Sequence, residues 1–99
     1  MSQLAVIGSD TFTLGFRLTG VRKVWPAASE EELERAVATA RRDGEVSIII
    51  MATRDVGRLH PRTRHELVAS VRPTLVAVGK EEDNTLREKI KQAVGVDLW

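Results

Sequence analysis

The stretch from Leu4 to Gly20 dictates how this chain must begin. Leu4-Ala-Val-Ile7 is continuously apolar and closes on Gly8. Such a run suits a strand covered on both faces. Ser9, Asp10 and Thr11 follow, and each can cap a helix. A short helical pattern then carries Phe16 and Leu18 towards Gly20. This is the opening of an α/β domain. In an open parallel sheet, ligands normally sit beyond the carboxyl end of the first strand.

The alternation continues along the chain. Val21 to Trp25 reads as a second strand, broken by Arg22 and Lys23 and stopped by Pro26. Charge and proline together mark an edge strand. Ser29 and Glu32 form a capping box ahead of a helix over about 30–43. Leu33, Ala36, Val37 and Ala40 line one face of that helix, Arg41 and Arg42 suit its negative end, and Gly44 suits its exit. Val46-Ser-Ile-Ile-Ile-Met51 is the most β-branched run and predicts a central buried strand. Residues 52–61 read as a polar connection holding Gly57 and Pro61, and a helix over about 62–71 would turn Leu67, Val68 and Val71 inward. Pro73 to Val78 reads as the last strand, with proline at its first position. A charged turn over 79–84 leads to a final helix from Thr85 to Val94, with Leu86, Ile90, Ala93 and Val94 on one face.

Four strand–helix units with right-handed crossovers give an α/β fold. The expectation is a four-stranded parallel sheet in the order 2-1-3-4, receiver-like and Rossmannoid, with helices on both faces and a C-terminal helix. Ninety-nine residues suffice for one domain. Within it, residues 1–78 make the sheet unit, and 79–99 make the charged connector and the last helix, which is the least firmly attached part. A chain of this size buries roughly 65% of its unfolded surface, enough for a core without staples.

The chain has no cysteine, so disulfides and thiolate metal sites are excluded. The formal charge of +1 gives no overall drive towards nucleic acid or an anionic membrane. Its apolar runs fall far short of the ~20 residues needed to span a bilayer. No basic region followed by a long apolar segment opens the chain, so no signal peptide is expected. The expected protein is soluble and on the cytoplasmic side, and it reaches a membrane only through a partner.

The residues that nucleotide or phosphoryl chemistry needs are mostly missing. Gly8 and Gly15 are not followed by Gly-Lys-Ser/Thr, and no Gly-x-Gly-x-x-Gly occurs. A receiver domain carries an aspartate at the end of its third strand and an acidic pair after its first. Here the third strand ends Ile50-Met-Ala-Thr53, and Asp10 alone follows the first. Asp10 therefore reads as a helix cap or first-turn acid, worth roughly 1 kcal/mol. Asp55 lies too far into the connection to take the phosphoacceptor role. His60 and His65 lie five apart and read as exposed loop residues, without a third metal ligand nearby. Arg54, Arg58, Arg62, Arg64 and Arg72 make the one local charge asymmetry, and no aromatic residue interleaves them for base stacking. That segment is expected to be a solvated face or a docking surface for an acidic protein. Catalytic, cofactor and metal residues are accordingly none. Trp99, beyond the last helix, either folds back on the domain or anchors a partner.

Ala5-Val-Ile-Gly-Ser-Asp-Thr-Phe-Thr-Leu-Gly-Phe-Arg-Leu-Thr-Gly-Val21 resembles the opening of the F subunit of the archaeal/vacuolar-type (A/V-type) ATP synthases, with Thr19 where that family has alanine. The Ile48-Ile-Ile50 strand, the Arg72-Pro-Thr-Leu-Val76 segment and the closing Ile90-Lys-Gln-Ala-Val-Gly-Val-Asp-Leu98 are similar to it too, in the same order and over nearly the whole chain. The basic 54–65 loop matches no pattern of the family. The resemblance implies a non-catalytic component of the central rotor stalk. Such a component sits on the coiled coil of the D subunit near the C subunit, and its C-terminal helix can reach towards the catalytic A and B subunits. It implies no cofactor and no nucleic acid. Under it, Phe16, Arg17 and Leu18 fix the first helix and its docking. Leu86, Ile90, Val94, Leu98 and Trp99 form an apolar stripe that meets the stalk or head, or packs on the sheet as core. The alternative is a degenerate receiver-like signalling module of the same fold, without a phosphoacceptor. A third class is an enzyme taking nucleotide at the strand ends.

Overall fold

The computed structural model describes residues 3–79. The expected connector over 79–84, apart from Gly79, the helix over 85–94 and the stripe Leu86, Ile90, Val94, Leu98 and Trp99 lie outside the described residues.

Eight elements follow one another: β1 (Gln3–Gly8), α1 (Asp10–Leu18), β2 (Lys23–Pro26), α2 (Glu30–Arg42), β3 (Val46–Ala52), α3 (Thr53–Arg58), α4 (Pro61–Ala69) and β4 (Thr74–Val78). The strands form one sheet in the order β2-β1-β3-β4, and every pairing is parallel. This is the order that alternation and right-handed crossovers require.

Register sorts the side chains onto two faces. Ala5 pairs with Ile49, Ile7 with Met51, and Met51 with Ala77. These residues share the main core with Leu33, Ala36, Val37 and Ala40 of α2, Val56 of α3, Leu59 at the C-cap of α3 and Leu67 of α4. Val6 is fully buried yet stands outside that cluster, on the other face, where α1 lies over β1 and β2. There Gly8 lets the helix approach. A Cβ at Gly8 would come within 2.7 Å of the Phe12 ring, far closer than van der Waals contact allows.

The caps explain where the helices start. Ser9 is the N-cap of α1, and its hydroxyl accepts a hydrogen bond from the Phe12 N–H at 3.2 Å. Asp10 is thus the exposed first-turn acid rather than the cap. The capping box of α2 forms in full: the Ser29 hydroxyl accepts from the Glu32 N–H, and the Glu32 carboxylate accepts from the Ser29 and Ala28 N–H groups. α1 ends in a tight turn where Gly20 adopts φ +100°, a conformation that side chains disfavour.

Several expectations need correction. The 52–61 connection is largely helical, because Asp55, Val56 and Leu59 turn inward and their burial outweighs the weak propensity of a segment holding Thr53, Asp55 and Gly57. Pro61 opens α4 as its first residue, with His60 as N-cap, so the helix starts slightly earlier and ends at Ala69. In that phase only Leu67 is buried. Val68 and Val71 are 64% and 87% exposed, not inward, since Val68 lies about 100° around the helix from Leu67 and Val71 falls beyond its end. β2 begins at Lys23 rather than Val21, because Val21 belongs to the turn that closes α1. Pro73 precedes β4 instead of opening it.

Candidate docking surface

The crevice beyond the carboxyl ends of β1 and β3 is where this topology would place a ligand. Here it is filled. Asp55, only 2% exposed, projects towards Gly8, and its Oδ2 lies 3.5 Å from where a Gly8 Cβ would stand. Its Oδ1 accepts from Arg58 Nη1 at 3.3 Å, and Arg58 Nη2 donates to the Ala28 carbonyl at 2.8 Å. The carboxylate thus ties α3 to the loop before α2. Sequence reasoning alone treats Asp55 as a loop residue. The signal that would have found it is the Asp55–Arg58 spacing, which puts both side chains on one side of a helical turn. Thr53 closes the crevice from beside β4: a Cβ at Gly79 would meet its side chain at 3.0 Å. Asp10 stays outside in solvent. Among the described residues, no three His, Asp or Glu side chains come together as metal ligands.

Four of the five arginines of the 54–72 segment have partners, while Arg54 is exposed without an ion pair or side-chain hydrogen bond among the described residues. Arg58 is engaged as above. Arg62 and Arg41 both approach Glu66, at 3.7 and 3.2 Å. Arg64 donates to the Gly57 carbonyl at 3.2 Å and Arg72 to the Gly44 carbonyl at 3.3 Å. Both histidines are exposed; His60 stands in the short connection before α4 as its N-cap, where its Nδ1 accepts from the Arg62 N–H at 3.1 Å, whereas His65 lies inside α4. Glu34 of α2 completes the start of α4 by accepting from the His60 N–H and the Thr63 hydroxyl, both at 2.7 Å. No local pattern announces that contact, because 26 and 29 residues separate the partners.

At the amino ends of the strands, Lys23 reaches Asp43 at 2.6 Å and Glu45 at 3.2 Å, joining β2 to the turn before β3. The hydrogen bond to Asp43 raises the Lys23 ammonium above its ordinary 10.5, and the same bond lowers the Asp43 carboxyl below 3.8. Glu32 is lowered as well, first by the Ala28 N–H and then by the Ser29 N–H of the capping box.

The outer side of α1 has fewer internal partners. Phe16 is half-buried and packs on Phe12, with ring centroids 5.2 Å apart and planes tilted by 53°. Both rings belong to α1, one turn apart. Arg17 is exposed and Leu18 is 78% exposed, so these two of the three expected α1 residues stand free in solvent. Leu14, one turn earlier, is 50% exposed. Beyond Leu18 a shallow groove is lined by Gln3, Leu4, Thr19, Gly20, Val21 and Arg22.

Known proteins share this arrangement. Residues 4–94 match the family model of the ATP synthase (F/14-kDa) subunit. The chain is 43% identical over 97 residues to the F subunit of the A-type ATP synthase of Methanothrix thermoacetophila, covering 98% of each chain. It is 46% identical over 99 residues to that of Methanosarcina mazei, again covering 98% of each. The crystal structure of the V-type ATP synthase F subunit from Archaeoglobus fulgidus superimposes with a TM-score of 0.73 at 36% identity, over 79% of this chain and 98% of that one. The match over residues 4–94, the identities over nearly the whole of each relative and the superposition agree, and the chain belongs to the F-subunit family of the A/V-type ATP synthases.

Proposed function

We propose that the chain is a non-catalytic part of the central rotor stalk, docking on the coiled coil of the D subunit near the C subunit and contributing to rotary coupling. The observation that carries this reading is family membership over residues 4–94. Under it the sheet serves as a scaffold, and the outer surfaces make the contacts with partner subunits. Arg17 and Leu18 contact the partner, while Phe16 holds their helix in place. Leu86, Ile90, Val94, Leu98 and Trp99 form the second contact, towards the stalk or the A and B subunits, with the 79–84 connector allowing the last helix to move as a unit. The chain acts on the cytoplasmic side and touches the membrane only through the complex. No helix among the described residues is long and apolar enough to cross a bilayer.

The test is co-purification from native membranes with the chain tagged at its N-terminus. Recovery of the D, C, A and B subunits together supports the rotor reading. Recovery of the chain alone, or with a histidine kinase or a DNA-binding protein, would overturn it in favour of a signalling module.

A further inference from the structure

The two edges of the sheet differ in kind. β2 is four residues long, holds Lys23 and ends in Pro26. Shortness, charge and proline are the usual means of keeping an edge from recruiting another strand. β4, at the other edge, runs Thr74-Leu-Val-Ala-Val78 without a charge or a proline. Every residue of it is at least partly accessible, and among the described residues no strand pairs with its outer side. The unpaired N–H and C=O groups of such an edge form a row that a further strand can complete.

Apolar side chains flank that edge on both faces. On the core side, Leu75 and Ala77 pack on the main cluster, and α4 beside them exposes Val68 and leads to the exposed Val71. On the other face, where α1 covers β1 and β2, Val76 and Val78 of β4 stand half-buried. A strand added at β4 therefore extends an apolar surface on each side.

The two ends of β4 carry opposite charge. Arg72 stands before the strand, exposed and without an ion pair among the described residues, with one guanidinium nitrogen on the Gly44 carbonyl. Lys80-Glu-Glu-Asp83 follows the strand in sequence, three acids to one base. Arg54, exposed just beyond β3, stands at the same end, and with Lys80 it still leaves one acid over. A strand of the same sequence running antiparallel brings its own Arg72 to this acidic exit and its acidic exit to this Arg72. A parallel copy would set like charge beside like.

We propose that β4 pairs antiparallel with β4 of a second copy of this chain about a twofold axis, joining the two sheets into one. The contact is isologous, as a closed dimer requires. Backbone hydrogen bonds hold the two strands, the valines on either face are covered, and the charged ends set the direction. The inference is independent of the rotor reading, because it describes the free chain before any other subunit is bound.

The test is sedimentation velocity of the full-length chain from dilute to concentrated solution, with cross-linking as a second readout. A concentration-dependent dimer is expected. The chain has no cysteine, so a single one can be introduced. Val76→Cys, at the centre of β4, is expected to be cross-linked to its own copy by a short bis-maleimide, whereas Val24→Cys in β2 is expected to remain uncoupled. Arg72→Glu is expected to weaken dimerisation by roughly fivefold, since two exposed ion pairs are lost at once. The reversal R72E/E81R/E82R is expected to restore it, and thermal unfolding checks that each variant folds. A chain that stays monomeric at every concentration would overturn the proposal. So would a dimer that couples through position 24 and not 76, or one that Arg72→Glu leaves unchanged. Amide exchange addresses the remaining occupant: β4 amides protected equally at all concentrations would mean that residues 80–99 of the same chain cover the edge, which also overturns the proposal.

Discussion

Gly15→Ala tests what α1 needs for itself. The residue sits inside a nine-residue helix with its backbone outside the left-handed region, since Gly20 alone among the described glycines has a positive φ. The added methyl group meets no atom within 4 Å. The substitution therefore removes the glycine penalty without adding strain, a gain of about 1 kcal/mol for an exposed helix interior. For a domain near 100 residues, that corresponds to a rise in Tm of roughly 4–8 °C. Far-UV circular dichroism of the free chain measures the rise, and urea unfolding followed by tryptophan fluorescence gives the energy, because Trp25 packs against the core. An unchanged or lowered Tm would refute the reasoning, since it would mean that position 15 is crowded or not helical.

Other perturbations probe the scaffold. Leu33→Ala empties a fully buried position between α2 and the sheet and should cost about 3 kcal/mol, read as a lower urea midpoint at constant m-value; a loss under about 1 kcal/mol would contradict the packing described. Glu34→Ala removes two carboxylate hydrogen bonds that fasten α4 to α2. A loss of about 1–2 kcal/mol is expected, with faster amide exchange in α4 than in α1; uniform exchange would refute its local role. The Lys23–Asp43 pair gives a pH signature. Asp43 is held below its ordinary 3.8, so its contribution is complete above that value and fades as pH falls through the lower native one. Lys23 is held above 10.5, so its contribution is complete below 10.5 and fades as pH rises past it. Asp43→Asn should flatten the acid limb of a plot of urea midpoint against pH; an unchanged acid limb would show that the pair does not stabilise the fold.

What can be read from the sequence divides by the range of the interaction. α2 is legible to within a residue, because its capping box, apolar stripe and terminal charges are all local and agree. β3 is legible from its β-branched run, and the strand order follows from alternation and crossover hand. α3 is not. Its N-cap, Ala52, offers no side-chain hydrogen bond, Gly57 lies inside it, and burial of Asp55, Val56 and Leu59 forms the helix. Pro61 fixes the phase of α4 and so the outward direction of Val68, which apolar identity alone does not reveal. The α1 contact residues come from family resemblance. Their division into Phe16, which packs inward, and Arg17 and Leu18, which face solvent, needs the helix phase. The cations that face no carboxylate are equally invisible in the sequence, because Glu66 meets Arg41 only through the fold.

That distribution of charge bears on function. The helices on the α2 side satisfy one another: Glu34 anchors α4, Glu66 collects two arginines, and Asp55 fixes Arg58 against the Ala28 carbonyl. New contacts at these paired groups must first break existing ones, although Arg42 and Arg54 on the same side stand exposed without partners among the described residues. The α1 side has no such network among the described residues. Its exposed leucines and arginines lie towards the amino ends of the strands, whereas Asp55 and Thr53 stand at the carboxyl ends beside Gly8 and Gly79. Mutations at the two ends should therefore separate cleanly: those around Asp55 act on stability, and those around Leu18 act on assembly.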